Sequence, residues 1–109
     1  MGHELTDAIS LELGQRVANR LRAHPELLQV AHENLDRWTA LNDDATSLLR
    51  CYAEWREILN RPVEEICLLL TSGSEEGQRL RQNSPFAGVL SPKEVWELKQ
   101  RLRHATATT

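Results

Sequence analysis

The chain has 109 residues, 40% of them hydrophobic and 27% charged, with a formal net charge of −3. That length suits one ordinary domain, able to bury roughly two-thirds of the surface its unfolded chain exposes, and the composition is not that of a disordered chain. A mildly acidic protein has no global basic field to draw in nucleic acid, and no run approaches the ~20 apolar residues of a membrane helix.

Residues Met1 to Ala8 include Glu4 and Asp7 and no apolar run, so no signal peptide is expected, residues 1–8 are expected to fray, and the location expected is the cytoplasm. Ile9, Leu13, Val17 and Leu21 then recur every four residues, with Arg16, Arg20 and Arg22 off the stripe. With Ser10 as N-cap, this predicts a first helix over about residues 10–23. Pro25 fits the first position of a second helix, whose apolar face carries Leu28, Ala31, Leu35, Trp38 and Leu41. Asn42-Asp43-Asp44 should stop it and cap the next helix, about residues 45–60, striped by Leu48, Tyr52, Trp55 and Leu59.

Pro62 opens a short fourth helix with Val63, Ile66, Cys67, Leu69 and Leu70, apolar enough all round to be a central buried element. Thr71 to Ser74 breaks it, and a weak fifth helix over 75–82 has Leu80 as its only large apolar residue. Ser91-Pro92 with Glu94 forms a capping-box pattern for a last helix that turns Val95, Leu98 and Leu102 inward and sets Trp96 to one side. Residues 105–109 are expected to fray. The expected architecture is a compact all-α bundle of five to six short helices, one domain over residues 1–109.

The motifs of chemistry are missing. His3, His24, His32 and His104 are scattered, and Cys51 and Cys67 fit no metal-ligand or redox spacing. The five glycines form no phosphate-binding loop. The acid pairs Glu64-Glu65 and Glu75-Glu76 fall in first turns, where the helix dipole favours carboxylates. We therefore expect no catalytic apparatus, no metal and no cofactor, which leaves partner binding.

Charge is unevenly distributed: nine acidic and four basic residues from Glu26 to Glu65, against six basic and two acidic from Arg79 to Arg103. Residues 62–83 have the length of a helix-turn-helix that would present Arg79, Arg81 and Gln82 to a groove, yet Gly77 interrupts the reading helix and Glu75 and Glu76 would sit near phosphates. The segment from Asn83 to Leu90 is an apolar loop, so Phe86, Val89 and Leu90 must fold back over the core or contact a partner. The three Trp residues, outnumbering Phe and Tyr, suit either a thin core or an interface.

The run from Arg79 to Pro92, RLRQNSPFAGVLSP, together with Trp55 to Leu59 and Arg61 to Ile66, resembles a group of small bacterial helical proteins. In that group a similar RQNSPFAGVL-type stretch precedes a final helix that begins near a Pro. The likeness covers about the last two-thirds of the chain, plus Leu11 to Gly14. Members look like antitoxins of two-gene operons, encoded beside a nucleotidyltransferase-like toxin. The resemblance implies a bacterial, cytoplasmic protein that neutralises a toxin enzyme by direct contact, occluding its nucleotide or tRNA site. The motif carries no chemistry and assigns no interface residue.

The contact set expected from the residues themselves has Phe86, Val89, Leu90 and Trp96 as apolar anchors and Arg79, Arg81, Lys99 and Arg103 as a polar rim. The acidic stretch would mimic nucleic acid to a basic active site. The alternatives are a DNA-binding autorepressor using the basic C-terminal half, and a homodimeric structural module.

Overall fold

The computed structural model describes residues 3–107, and every regular element among them is helical. They are α1 (His3–Ala23), a 3-10 turn (Pro25–Leu27), α2 (Leu28–Leu41), α3 (Thr46–Leu59), α4 (Val63–Leu70), α5 (Glu75–Arg81) and α6 (Pro92–Ala107). This is the all-α architecture expected from the periodicity.

The first helix starts well before Ser10. Glu4 in its first turn favours the helix dipole, and Ser10, rather than capping anything, lies inside α1, its hydroxyl accepting from Arg81 Nε at 3.0 Å. Residues 3–8 lie within α1, and α6 runs on to Ala107. The expectation of fraying for residues 1, 2, 108 and 109 falls outside the described residues.

Pro25 turns the chain in a 3-10 turn before α2, with His24 held out of the helical region at φ −136° and ψ 76°, consistent with the bias proline places on the residue before it. The α2 stripe ends one turn early. Leu41 is 72% exposed, and Asn42 closes the helix by donating from Nδ2 to the Trp38 carbonyl at 2.9 Å. Asp43 and Asp44 do not cap α3, whose N-cap position is Ala45 with no side-chain bond.

Helix α4 is the closest neighbour of α1, but it is not buried all round: Ile66, Cys67 and Leu70 face the core, while Leu68 is 64% exposed. Gly14 permits the approach. A Cβ there would lie 2.1 Å from the Leu70 carbonyl oxygen, so no larger residue fits the crossing. Cys67 completes the seam, its Sγ 3.6 Å from the Ala18 carbonyl oxygen. Burial pushes its thiol pKa up, which keeps it protonated and inert.

The core gathers around Trp55, fully buried on α3, whose Nε1 donates to the Leu80 carbonyl at 3.0 Å. The Phe86 ring meets Trp55 edge-on with centroids 6.1 Å apart, a preferred aromatic geometry. Trp38 is half-buried beside Tyr52.

Residues 83–90 form a lid over this core. Pro85, Phe86 and Leu90 are buried, and the turn passes through Gly88 at a φ of 95°, a conformation that favours glycine. Asn34, itself buried on α2, pins the lid by donating to the Pro85 and Ala87 carbonyls at 2.8 and 2.9 Å. Arg37 in turn donates to Asn34 Oδ1.

Candidate functional site

The residues expected to contact a partner divide into three groups. Phe86 and Leu90 belong to the core, at 3% and 6% exposure. Arg81 also turns inward, at 8%, and its guanidinium spans the α4–α5 connection, donating to Ser10 Oγ and to the Leu70 and Ser72 carbonyls. These three are corrected from surface to interior: the aliphatic and aromatic groups because the lid needs apolar filling, the arginine because α4 ends in carbonyls that its N–H groups satisfy.

Trp96, Lys99 and Arg103 share α6, and Val89 lies half-buried at the lid. Trp96 is 62% exposed, on a helix whose opposite side buries Leu98. Lys99 and Arg103 line a cleft of about 490 Å³ between α1, the lid and α6, together with Ile9, Leu13 and Val95. Arg79 is exposed on α5 but engaged, its Nη1 and Nη2 donating to Glu54 at 3.1 and 2.9 Å. The bond from Arg79 holds the Glu54 carboxyl below its usual range, against a smaller opposing effect of desolvation.

Four of the nine acids in the acidic stretch are paired with arginines. Asp36 pairs with Arg56, Glu57 with Arg61, Glu54 with Arg79 and Glu64 with Arg22. Glu33, Asp43, Asp44 and Glu65 remain exposed without an ion pair among the described residues, and Glu26 meets only His24. Mimicry of nucleic acid thus has a few charges to work with rather than a continuous face.

Two positioning groups have no place in the reading of the sequence. Glu94, assigned to a capping box, does receive the cap in its backbone, with its N–H donating to Ser91 Oγ at 3.1 Å. Its carboxylate, however, reaches away to α1, where Arg20 Nη2 donates to both oxygens at 2.8 and 2.7 Å and Arg16 Nη1 adds a bond at 3.2 Å. Arg20 Nη1 also donates to the Val89 carbonyl at 3.3 Å, so one guanidinium fastens the lid and α6 to α1. The spacing of Arg16 and Arg20, one turn apart on α1, was the available signal. Asn34, the second pin, gave none beyond being an amide on an otherwise apolar face.

The Glu94 carboxyl is held below its usual range, chiefly by the Arg20 hydrogen bond and further by Arg16, with desolvation opposing. A carboxyl whose folded pKa is depressed contributes stability above its unfolded pKa and loses it as pH falls through the folded value. Glu94→Gln should therefore lower the melting temperature at pH 7, and the gap to the parent should close as pH drops below the ordinary value of 4.5. A gap that stays constant from pH 7 to pH 3 would show that the charge contributes nothing.

Phe86→Ala tests the lid. It should destabilise the isolated protein by ~3–5 kcal/mol, the usual cost of emptying a buried aromatic site. An unchanged urea midpoint would return Phe86 to the surface.

Among the described residues no group of three or more His, Cys, Asp or Glu is placed to hold a metal ion, both cysteines are free, and no helix is long and apolar enough to cross a membrane. Comparison with protein-family models, with curated proteins and with solved structures finds no match for this chain.

Proposed function

We propose that this chain is a protein-binding module without catalysis of its own, an antitoxin that neutralises a partner toxin enzyme by direct contact. The observation that carries the binding reading is Trp96, a large aromatic left 62% exposed on a helix firmly fixed to the rest of the fold. Exposed aromatics on rigid elements are the residues that dominate binding energies at interfaces. Val89 beside the lid and Lys99 and Arg103 on α6 supply an apolar shoulder and a basic rim. Phe86, Leu90 and Arg81 support this surface from below instead of touching the partner. That the partner is a toxin enzyme, nucleotidyltransferase-like, rests on the resemblance of the Arg79 to Pro92 segment alone.

The alternative, a DNA-binding autorepressor, loses the two arginines it needs. In α5, Arg81 points into the core and Arg79 is held by Glu54. That reading requires a mobility shift of the protein's own promoter with a steep salt dependence.

The test is co-expression with the product of the adjacent gene. The parent should form a stable complex and relieve toxicity, and Trp96→Ala should weaken the complex by more than ~2 kcal/mol while leaving the melting temperature in place. Full affinity in Trp96→Ala would remove Trp96 as the anchor. Recovery of the protein alone, with a low-salt promoter shift, would transfer the function to DNA.

A further inference from the structure

The cleft between α1, the lid and α6 has a charge pattern unlike the rest of the molecule. Most cationic side chains pair with carboxylates, as Arg16, Arg20 and Arg101 do on the neighbouring surface. The cations lining the cleft do not: Arg81, Lys99 and Arg103 form no ion pair among the described residues, and no carboxylate is among the lining side chains. Arg81 is the more telling of the three. It is 8% exposed, its Nη2 is sealed from solvent and has no hydrogen-bond partner, and Asp7 acts on it only through space. With Asp7 offsetting this buried charge only from a distance, the local potential stays positive, and the apolar wall above it screens that potential poorly.

The space itself is of small-ligand size. Its volume of about 490 Å³ falls in the usual range for small-molecule sites. A single turn of α-helix, roughly 10–12 Å across and about 5.4 Å long, takes up as much, so the cleft suits a small molecule better than a partner's helix. We propose that this cleft binds a small amphipathic anion, an acyl or aryl carboxylate, with its apolar body against Ile9, Leu13 and Val95 and its head group toward the positive charge of Arg81, Lys99 and Arg103. The apolar wall provides affinity and the cations select the acid over its neutral analogue. The cleft shares Lys99 and Arg103 with the basic rim proposed for the partner, so it is tested on the chain alone.

The experiment compares octanoate with 1-octanol, which share a chain length and differ in charge, on the full chain by thermal shift and by amide chemical-shift mapping. Octanoate at millimolar concentration should raise the melting temperature and move the amide signals of Gly14 and Gly88, which line the cleft. Octanol should bind at least tenfold more weakly. Arg81→Met risks unfolding the protein, so the variant of choice is Lys99→Gln with Arg103→Gln. It should melt where the parent does without ligand and lose octanoate affinity at least fivefold, while octanol binding stays unchanged. Equal binding of acid and alcohol, perturbations located away from the cleft, or no response to octanoate would each overturn the proposal.

Discussion

Trp55→Ala should yield a chain with no cooperative unfolding transition at room temperature. Trp55 is fully buried, and emptying a site of that size costs ~3–5 kcal/mol. Truncation also removes the hydrogen bond from Nε1 to the Leu80 carbonyl, worth about 1 kcal/mol because the Asn83 N–H still reaches that oxygen at 3.2 Å. The sum rivals the entire stability of a typical domain, about 5–15 kcal/mol. Trp55→Phe separates the two contributions. It keeps most of the ring volume and loses the hydrogen bond, so it should fold with a loss of about 1 kcal/mol from that bond. Urea denaturation followed by far-UV circular dichroism makes the measurement. A Trp55→Ala protein that unfolds cooperatively within ~1 kcal/mol of the parent would contradict the central place given to this side chain.

The second large effect reverses an ordinary rule. Glycine to alanine inside a helix normally stabilises by ~1 kcal/mol. At Gly14 the new Cβ meets the Leu70 carbonyl oxygen at 2.1 Å and the Leu70 carbonyl carbon at 3.2 Å. Those atoms are backbone and cannot rotate aside, so α1 and α4 must separate along their common seam. Gly14→Ala should therefore lose ~3 kcal/mol or more, since overpacking against rigid atoms exceeds the propensity gain. That corresponds to a fall in melting temperature of ~10 °C or more for a domain of this size. Gly73→Ala is the control, because nothing lies within 4 Å of a Cβ there. If both variants melt together with the parent, the tight crossing of α1 and α4 is wrong.

How much of this was legible in the sequence depends on the range over which each feature is determined. The helices follow from apolar spacing and from Pro25, Pro62 and Pro92, all local signals, and the cap at Ser91 is formed as its pattern predicts. Ser10 shows where local reading fails. It has the residue type of an N-cap, yet its hydroxyl serves Arg81, 71 residues away. Arg79 and Arg81 present the same problem: two arginines on one short helix, of which one faces outward to Glu54 and the other inward to the carbonyls of Leu70 and Ser72. Nothing in their neighbourhood tells them apart. A loop has no periodicity to mark its buried face, so the sequence leaves Phe86 free to be set as a contact anchor while its 3% exposure places it in the core. The polar rim was assigned from charge alone, and charge does not distinguish an arginine that meets a partner from one that closes a helix end. Trp96, displaced from the stripe of Val95, Leu98 and Leu102, was read from periodicity and is the most exposed of the three Trp residues.

The clamp of Arg20 on Glu94 also sets a timetable for synthesis. Its partners are 74 residues apart, and a ribosome adding about 5–20 residues per second needs roughly 4–15 s to cover that interval. Throughout that time the α1 segment lacks the cover of the lid and α6, leaving Ile9 and Leu13 without that part of their packing and the Arg20 guanidinium without its carboxylate. Closure waits for the last helix to leave the exit tunnel. A message cut short before the codon for Glu94 would release a product with this apolar surface uncovered, a natural substrate for chaperones and proteases.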